Sequence, residues 1–442
     1  MKRKYEDSEF MKRAIKHRRK FMSSPTDKTI QVCIINGNIR YLNPEIICTS
    51  ASHKYTFELP DMIATDQHES GRCVIFTWLN FLRRMFKYGN CQFSNNYIYF
   101  YHRFESAMFS LTEFARRFSV NKNDRFIQYL KGNPSPEGTY DNVPIQLMLR
   151  YGIVLNDSYC DTIHSKHTKI LNNMLKLMVK NYFIKIHENP TLIDTILKQA
   201  EYDIYKVLCY YLGTPPSKIY FMENELTPLE FFDKYVNRDA HLENYVILIS
   251  DPTHNYNTKI MGSLIDYVRS AECRVYLNKS LSEIKEYIVR SLHNSIPVPI
   301  SVDIKLNNSD KLGILDAKLS GNDMVLGSIA TLPEKKFRLT YGISTANHMV
   351  LLTGYALNAD NTFYSWKVEN SWGKDSGHEG YWDMRDNWFD EFVYTVNINK
   401  NLLSAEDLQL LKGTIYYTYD INDPYEGRGT SPSPGCTAGG IV

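Results

Sequence analysis

Cys73 is one of four residues whose types and order point to acyl-transfer chemistry. It follows the Gly71-Arg72 turn and precedes a dense apolar run, so we expect it in the first turn of a buried helix. A helix N-terminus and a neighbouring imidazolium lower the pKa of a thiol from ~8.5 to roughly 3.5–7.5. The position is therefore typical of a nucleophilic cysteine. Taken alone, Cys73 also fits a buried, unreactive cysteine.

Three polar residues and one indole supply the other parts of such a site. Gln67 lies just upstream of Cys73, where its side-chain amide and the Cys73 backbone N–H can both donate to an oxyanion. His348 begins an apolar, strand-like segment, and Asn370 follows further along the chain. An asparagine oxygen that accepts from one imidazole nitrogen fixes the tautomer and aims the other nitrogen at sulfur. The indole of Trp372 can shield that hydrogen bond from water.

Hydrophobic periodicity indicates the elements that must position these residues. Residues 73–86 are apolar on most sides, as in a buried helix. From Thr168 to Gly213 the apolar residues follow a 3.6-residue period, which predicts a mostly helical block that ends at the glycine. The charged segment from Asp7 to Arg19 predicts a solvated helix or arm. Short β-branched or apolar runs predict strands at Tyr245–Ser250, Val298–Val302, His348–Gly354 and Phe363–Val368.

Length, charge and cysteine usage restrict the class of protein. A chain of 442 residues holds two domains or one elaborated core. Its 51 basic and 49 acidic residues nearly cancel, which leaves no overall field for a polyanion. No stretch reaches the roughly 18 apolar residues of a membrane span, so we expect no membrane insertion. The 8 cysteines lack CxxC pairing, which predicts reduced thiols in a cytoplasmic protein without a metal or other cofactor.

Three sequence boxes resemble the papain superfamily when taken in order. They contain Gln67 with Cys73, then Asn347-His348-Met349, then Glu369-Asn370-Ser371-Trp372-Gly373. The particular resemblance is to the family of bleomycin hydrolase and aminopeptidase C, and it runs from about Asp66 to Pro424. Further similar stretches are Gln92-Phe93-Ser94, Gly213-Thr214-Pro215-Pro216, Thr227-Pro228-Leu229-Glu230-Phe231-Phe232 and Gly380-Tyr381.

The resemblance implies an α+β, papain-like fold in which a helical left domain packs on a β-rich right domain. It implies a cysteine-type peptidase or aminopeptidase that hydrolyses peptides or aminoacyl amides through a thioester. The nucleophile and histidine lie much further apart than the ~130–150 residues of papain-type enzymes, which implies a large helical hook insertion. In the resembled family such a hook assembles a homohexamer. The implied catalytic residues are Cys73, His348, Asn370 and Gln67, and the implied substrate-binding or supporting residues are Gly138, Asn347 and Trp372.

Two departures from the family pattern are expected to affect substrate fit. Val74 follows the nucleophile where the family has tryptophan, and Glu137-Gly138 stands where the family has paired glycines. The family's chain ends shortly after the box at Asp423-Pro424, and its terminal carboxylate receives the substrate's free amine. Here Tyr425–Val442 continue past that point, so we expect a displaced carboxylate, with the flexible tail either removed by self-cleavage or lodged in the cleft.

The expected organisation of the chain has five segments. Residues 1–58 are expected to form a basic N-terminal arm, and residues 59–165 the helical papain-like half with the nucleophile helix. Residues 166–225 are the expected hook insertion. Residues 226–420 are the expected β-rich half with the histidine and asparagine, and residues 421–442 a C-terminal arm with a flexible tail.

A second hypothesis comes from a different class of protein. The chain can be a non-catalytic assembly or nucleic-acid-binding protein that keeps the papain-like fold and uses the basic segment Lys2–Lys20 as its contact surface. Weak nucleic-acid binding is also compatible with an active peptidase. Thiol labelling at Cys73 together with amide hydrolysis would support the peptidase hypothesis. DNA binding that depends steeply on salt would support the second hypothesis.

Overall fold

The computed structural model of the protein describes residues 2–36, 54–118, 125–262, 268, 274–306, 308–309, 312–319 and 331–419. The chain divides into two units, one from Met1–Ser50 with Ala317–Pro333 and the other from Ala51–Asp316 with Glu334–Val442. Within the described ranges no helix carries an apolar stretch that could cross a membrane. The flexible tail predicted within Tyr425–Val442 lies outside the described residues.

The first two helices belong to the first unit, and in the second unit most of the helices precede the strands of the large sheet. The helices are α1 (Lys2–Met22), α2 (Pro25–Asn36), α3 (Cys73–Met85), α4 (Asn95–Phe118), α5 (Arg125–Gly132), α6 (Val143–Tyr151), α7 (Ile163–Lys166), α8 (Lys169–Glu188), α9 (Ile193–Leu212), α10 (Pro228–Phe231), α11 (Arg238–Ala240), α12 (Leu281–His293), α13 (Lys335–Thr340), α14 (Asp386–Phe392) and α15 (Ala405–Lys412). The strands are β1 (Phe57–Glu58), β2 (Ile219–Phe221), β3 (Asn224–Leu226), β4 (Tyr245–Ile249), β5 (Thr258–Met261), β6 (Val275–Asn278), β7 (Val298–Val302), β8 (Asn308–Ser309), β9 (Ile314–Leu315), β10 (His348–Leu357), β11 (Phe363–Glu369), β12 (Tyr381–Arg385), β13 (Val393–Asn399) and β14 (Ile415–Thr418).

In the first unit, α1 and α2 contact each other as a helical pair. The side chains of α1 are exposed from Glu9 onward. Arg13 and Glu9 form an exposed ion pair of 3.7 Å one turn apart on this helix. Of the helix or arm predicted from Asp7 to Arg19, the structure shows a helix, and its side chains are exposed from Glu9 onward.

The buried helix α3 is the central element of the helical half of the second unit. Every residue from Cys73 to Arg83 is buried, as the dense apolar run predicts. Its last turn carries Arg83 and Arg84, whose positive charges suit the negative end of the helix dipole. The predicted helix over 73–86 is confirmed, and it ends one residue earlier because Phe86 adopts an extended conformation.

The helices α8 and α9 form an antiparallel hairpin within the predicted helical block. The chain turns between them at Asn189 and a short 3₁₀ turn, Pro190–Leu192. Leu175 and Val179 of α8 and Ile204 and Leu208 of α9 are fully buried, at the helical spacing expected of a packed face. The helical prediction for 168–213 is confirmed. Gly213 ends the block with φ of +85°, which a β-carbon would strain.

One large sheet forms most of the β-rich half of the second unit. All four predicted strands are present, as β4, β7, β10 and β11. The strand β1 pairs with β10, so Phe57 and Glu58 at the end of the expected N-terminal arm join this sheet. The strand order is β14-β5-β6-β4-β13-β7-β10-β11-β12-β9-β8.

The buried carboxylate of Asp141 ties the helical half to the sheet. Its Oδ1 accepts from the Ser301 hydroxyl at 2.6 Å, and its Oδ2 accepts from Asn397 Nδ2 at 2.9 Å and from the Thr395 hydroxyl. The Asp141 carbonyl accepts from the indole N–H of Trp78 on α3 at 2.6 Å. These bonds fix α3 against β7 and β13, and so they fix the helix that carries Cys73 relative to the sheet that carries His348.

Candidate active site

Cys73 opens α3 and is nearly buried, with 5% of its surface exposed. Its position in the first turn places the thiol in the field of the helix N-terminus. One turn further on, the Thr77 hydroxyl donates to the carbonyl of Met349 at 2.9 Å. Cys73 also belongs to the same buried cluster as Met349 and Leu351. The start of α3 therefore lies beside the start of β10, where His348 stands.

His348 and Asn370 form a buried hydrogen-bonded pair. His348 Nε2 lies 2.8 Å from Asn370 Oδ1. The same oxygen accepts from the backbone N–H of Ser371 at 2.8 Å, so it acts as an acceptor and Nε2 is the nitrogen that donates. The basic electron pair of a neutral ring is then on Nδ1. The sequence analysis expects the Asn370 oxygen to accept from one ring nitrogen, and the structure shows that this nitrogen is Nε2.

Burial lowers the pKa of His348 from its ordinary value of 6.5 to about 4, and the hydrogen bond with Asn370 opposes this shift. The ring is therefore neutral at pH 7 and can accept a proton. A neutral imidazole is the form that a general base needs before it takes a thiol proton.

Trp372 covers the imidazole of His348. The two ring centroids are 4.8 Å apart with an interplanar angle of 37°. Trp372 is itself buried and packs edge-on against Trp382 at 5.4 Å. The indole therefore lies over the ring, at the place where the sequence analysis expects it to shield the hydrogen bond between His348 and Asn370 from water.

Gln67 is fully buried and is held from both sides. Its backbone N–H donates to the Ser371 carbonyl at 2.8 Å, and the Ser371 hydroxyl donates to its Oε1 at 2.7 Å. Its Nε2 donates to the carbonyl of Ser70, in the turn that leads to Cys73, at 2.6 Å. The amide is therefore bonded both to the turn before the nucleophile and to the residue after Asn370. In the sequence, Ser371 is only a member of the motif around Asn370 and has no predicted role. The structure shows that its hydroxyl is a further part of the site.

Asn347 supports the backbone ahead of His348. Its Oδ1 accepts from the backbone N–H of Ile304 at 3.1 Å, and its Nδ2 donates to Asp303 Oδ1. Asp303 is buried and also accepts from the Ser344 hydroxyl at 2.7 Å. Both the oxygen and the nitrogen of the Asn347 side-chain amide thus bond to the segment that follows β7. Asp303 gave no signal in the sequence, because a lone aspartate after a strand is common.

Gly138 lies in the loop between α5 and α6 and is partly buried. The preceding residue, Glu137, packs its carboxyl group against Gly71, two positions before Cys73. The structure therefore brings the Gly138 loop to the same turn that presents the nucleophile.

A buried ion pair joins α3 to the strand that leads to Asn370. Arg84 Nε and Nη2 lie 2.8 and 2.5 Å from Glu369 Oε2, and Arg83 Nη2 lies 3.7 Å from Oε1. Arg84 Nη2 also contacts the Tyr381 hydroxyl at 2.9 Å. These arginines carry no signal in the sequence, because charges in the last turn of a helix are usually solvated.

A buried cysteine at the start of a helix, on which packs a strand that begins with an asparagine-bound histidine, is the arrangement typical of a papain-like cysteine peptidase. The family model described as the Peptidase C1-like family matches residues 11–424 of the chain. The chain therefore belongs to the Peptidase C1-like family, and it is a cysteine peptidase of the bleomycin hydrolase and aminopeptidase C type with the papain-like α+β fold.

Individual relatives agree with this assignment. Bleomycin hydrolase of Mus musculus is 28% identical over 374 residues, which cover 79% of this chain and 82% of the relative. Aminopeptidase C of Lactobacillus delbrueckii subsp. lactis is 30% identical over 374 residues, 80% of this chain and 82% of the relative. The crystal structure of PepW from Lactobacillus rhamnosis superposes with a TM-score of 0.84 at 26% identity, over 94% of this chain and 98% of that one. The family resemblance predicted from the sequence boxes is confirmed.

Proposed function

We propose that Cys73, His348, Asn370 and Gln67 carry out amide hydrolysis on peptides or aminoacyl amides with a free amino terminus. The observation that carries the proposal is the 2.8 Å bond from His348 Nε2 to Asn370 Oδ1, because it sets the basic nitrogen on the opposite side of the ring. The names of the relatives support a free-amine substrate, since the curated relatives include aminopeptidases C.

The proposed reaction has two stages. His348 takes the thiol proton, and the Cys73 sulfur attacks the carbonyl carbon while Gln67 and the Cys73 backbone N–H donate to the oxyanion. The carbon–nitrogen bond breaks, the leaving amine receives the proton from His348, and a thioester remains. Water then attacks the thioester carbon and gives a proton to His348. The carboxylic acid leaves, and the proton returns to the Cys73 sulfur.

The test combines labelling with turnover. A thiol-reactive epoxide should label Cys73 in the full chain, and the same preparation should hydrolyse aminoacyl fluorogenic amides. Cys73→Ala should abolish both signals, while Cys209→Ala, which removes a thiol in α9, should leave both in place. Hydrolysis that persists in Cys73→Ala after purification to homogeneity would overturn the proposal.

Residues 166–225 are proposed as an insertion that assembles a homohexamer, within the five-segment organisation predicted from the sequence. Its helices α8 and α9 expose apolar side chains, including Leu177 at 55%, Ile184 at 54% and Tyr210 at 71%. Exposed apolar patches of this kind favour protein contacts. Native mass spectrometry should find six copies, and Leu177→Glu with Ile184→Glu should shift the mass to smaller species. A wild-type monomer at micromolar concentration would contradict the proposal.

A cytoplasmic location and weak nucleic-acid binding are proposed on separate grounds. The described cysteines Cys33, Cys91, Cys160 and Cys209 are unpaired, which suits a reducing compartment.

The exposed basic residues of α1 give a local positive surface for a polyanion despite the near-zero net charge. DNA affinity should fall steeply between about 50 and 200 mM salt and vanish when the arginines and lysines of 12–20 are neutralised. Affinity that is insensitive to salt would contradict binding through this helix.

A further inference from the structure

Glu137 presents a carboxylate beside the turn that leads to the nucleophile. A β-carbon placed on Gly71 would lie 3.0 Å from both Cγ and Cδ of Glu137 and 3.1 Å from its Oε2. Gly71 is buried, and only Arg72 separates it from Cys73. The absence of a side chain at Gly71 therefore lets the carboxyl group lie directly against this backbone.

Neutral donors hold the carboxylate in place. The Tyr99 hydroxyl lies 3.1 Å from Glu137 Oε1, and Asn172 Nδ2 lies 2.8 Å from Oε2. Tyr99 is fully buried beneath the carboxyl group, and burial together with Glu137 raises the pKa of its hydroxyl, which therefore stays a donor. Glu137 itself is only partly buried. Its carboxylate thus has a fixed orientation and an accessible side.

The charge of Glu137 is not neutralised by an ion pair. Among the residues that the structure describes, no lysine, arginine or histidine lies within ion-pair distance of it. Arg72, the nearest arginine in sequence to Gly71, bonds instead to Asp161 at 2.6 Å and to the Ser70 hydroxyl at 3.0 Å. Arg103 donates to the carbonyls of Ser135 and Pro136 and so anchors the loop rather than the carboxylate. A partly buried carboxylate without a cation partner attracts one.

We propose that Glu137 is a specificity-determining residue that receives a cationic group of the substrate residue whose carbonyl Cys73 attacks. This inference rests on the proposed role of Cys73 as the nucleophile. That substrate residue must lie against the turn at Gly71, because its carbonyl carbon has to approach the sulfur to about 3–3.5 Å. The Glu137 carboxylate packs against the same turn, so an ammonium or guanidinium group of that substrate residue can approach it. The cationic group is either the α-ammonium group of that substrate residue or its lysine or arginine side chain.

The experiment uses four fluorogenic amides with the full chain. They are the amides of lysine and of norleucine, each with a free and with an acetylated amino group, so that side chain and α-amine vary separately. Glu137→Gln keeps the size and the acceptor for Tyr99 but removes the charge. Glu225→Gln removes a carboxylate from the exposed β2–β3 hairpin and serves as the matched control.

The proposal predicts a selective loss in kcat/KM. A charge-assisted bond of this kind is worth about 10- to 100-fold. If the side chain is the source, Glu137→Gln should lose this factor on the lysine amides relative to the norleucine amides. If the α-amine is the source, it should lose the factor on the free amides relative to the acetylated ones. An equal loss on all four substrates, or no loss, would overturn the proposal, and Glu225→Gln should change no ratio.

If the Glu137→Gln variant fails to fold, a measurement on the wild-type chain still tests the proposal. Salt screens charge pairs, so the preferred substrate's advantage should shrink between 20 and about 500 mM salt. A ratio that does not change with salt would contradict the proposal. Failure of the proposed function gives a different result, since the wild-type chain would then hydrolyse none of the four amides and Cys73 would resist labelling.

Discussion

Arg84, in the last turn of the nucleophile helix, donates two hydrogen bonds to the buried carboxylate of Glu369, the residue immediately before Asn370. One ion pair therefore links the element that carries Cys73 to the strand that delivers the histidine's partner. The two side chains are 6% and 0% exposed, so each charge depends strongly on the other.

Removing Arg84 should destabilise the fold strongly. Arg84→Met leaves the Glu369 carboxylate buried with only the longer contact to Arg83, and such a break costs about 3–5 kcal/mol. Denaturant unfolding measures the loss. The double variant Arg84→Met with Glu369→Gln should recover part of it, because no unpaired charge remains, whereas additive losses would show that the two side chains do not act as a pair. The exposed pair of Lys218 and Glu225 is the control and should contribute little.

Replacing Asn370 should lower turnover more than substrate affinity. In Asn370→Ala the imidazole of His348 loses the acceptor that orients it, and a misplaced base costs about 100-fold in kcat. Steady-state kinetics on one aminoacyl amide separate kcat from KM. Asn370→Asp keeps an acceptor oxygen and should retain more activity than the alanine variant. Equal losses in both variants would indicate that the contact is structural only.

Gln67→Ala should reduce kcat by about 10²–10³ without abolishing it. The loss of one oxyanion donor has this magnitude, and the Cys73 backbone N–H remains as the other donor. Ser371→Ala provides the matched comparison, because it removes only the hydroxyl that bonds to Gln67 Oε1 and should cost less. The relevant measurement is kcat together with the rate of epoxide labelling at Cys73. A variant Gln67→Ala as active as the wild type would exclude the amide from the oxyanion site.

The neutral, buried imidazole of His348 should make the protein less stable in acid. Its pKa is about 4 in the folded chain and roughly 6.5 when unfolded, so below about pH 6.5 the unfolded chain binds a proton that the folded chain does not. The free energy of unfolding should therefore fall as the pH drops from about 6.5 to 4, by about 3 kcal/mol from this group. His348→Gln cannot titrate and should show a shallower dependence. Parallel pH curves for the two proteins would contradict the buried neutral ring.

Local patterns were sufficient to predict the elements that hold the site. The periodicity around Cys73, the helical block to Gly213 and the strand at His348 all rest on side-chain spacing, which local sequence encodes. The residue at which a strand ends was harder to predict from the sequence. The predicted strand stops at Gly354, but β10 continues to Leu357, because Tyr355, Ala356 and Leu357 still pair with β11. The missing side chain at Gly354 also lets β1 approach, with the Phe57 carbonyl only 2.6 Å from where a β-carbon would stand.

The contacts that the sequence analysis missed join residues far apart in the chain. Arg84 with Glu369 and Ser371 with Gln67 are pairs of ordinary polar residues, and nothing in their neighbours shows that they meet. The long arginine side chain has several rotamers, and tertiary packing selects among them. The boxes around the nucleophile and asparagine nevertheless contained three of these four residues, Gln67, Glu369 and Ser371, because the chemistry requires that backbone to be held rigidly.

The most direct test of the account is to trap the acyl-enzyme. The wild-type chain is mixed with an aminoacyl ester, quenched in acid within milliseconds, and measured by intact-protein and peptide mass spectrometry. The account predicts the mass of one aminoacyl group on the peptide that contains Cys73, formed faster than product and absent from Cys73→Ala. Turnover without any adduct at Cys73, or an adduct on another residue that forms at the rate of turnover, would contradict it.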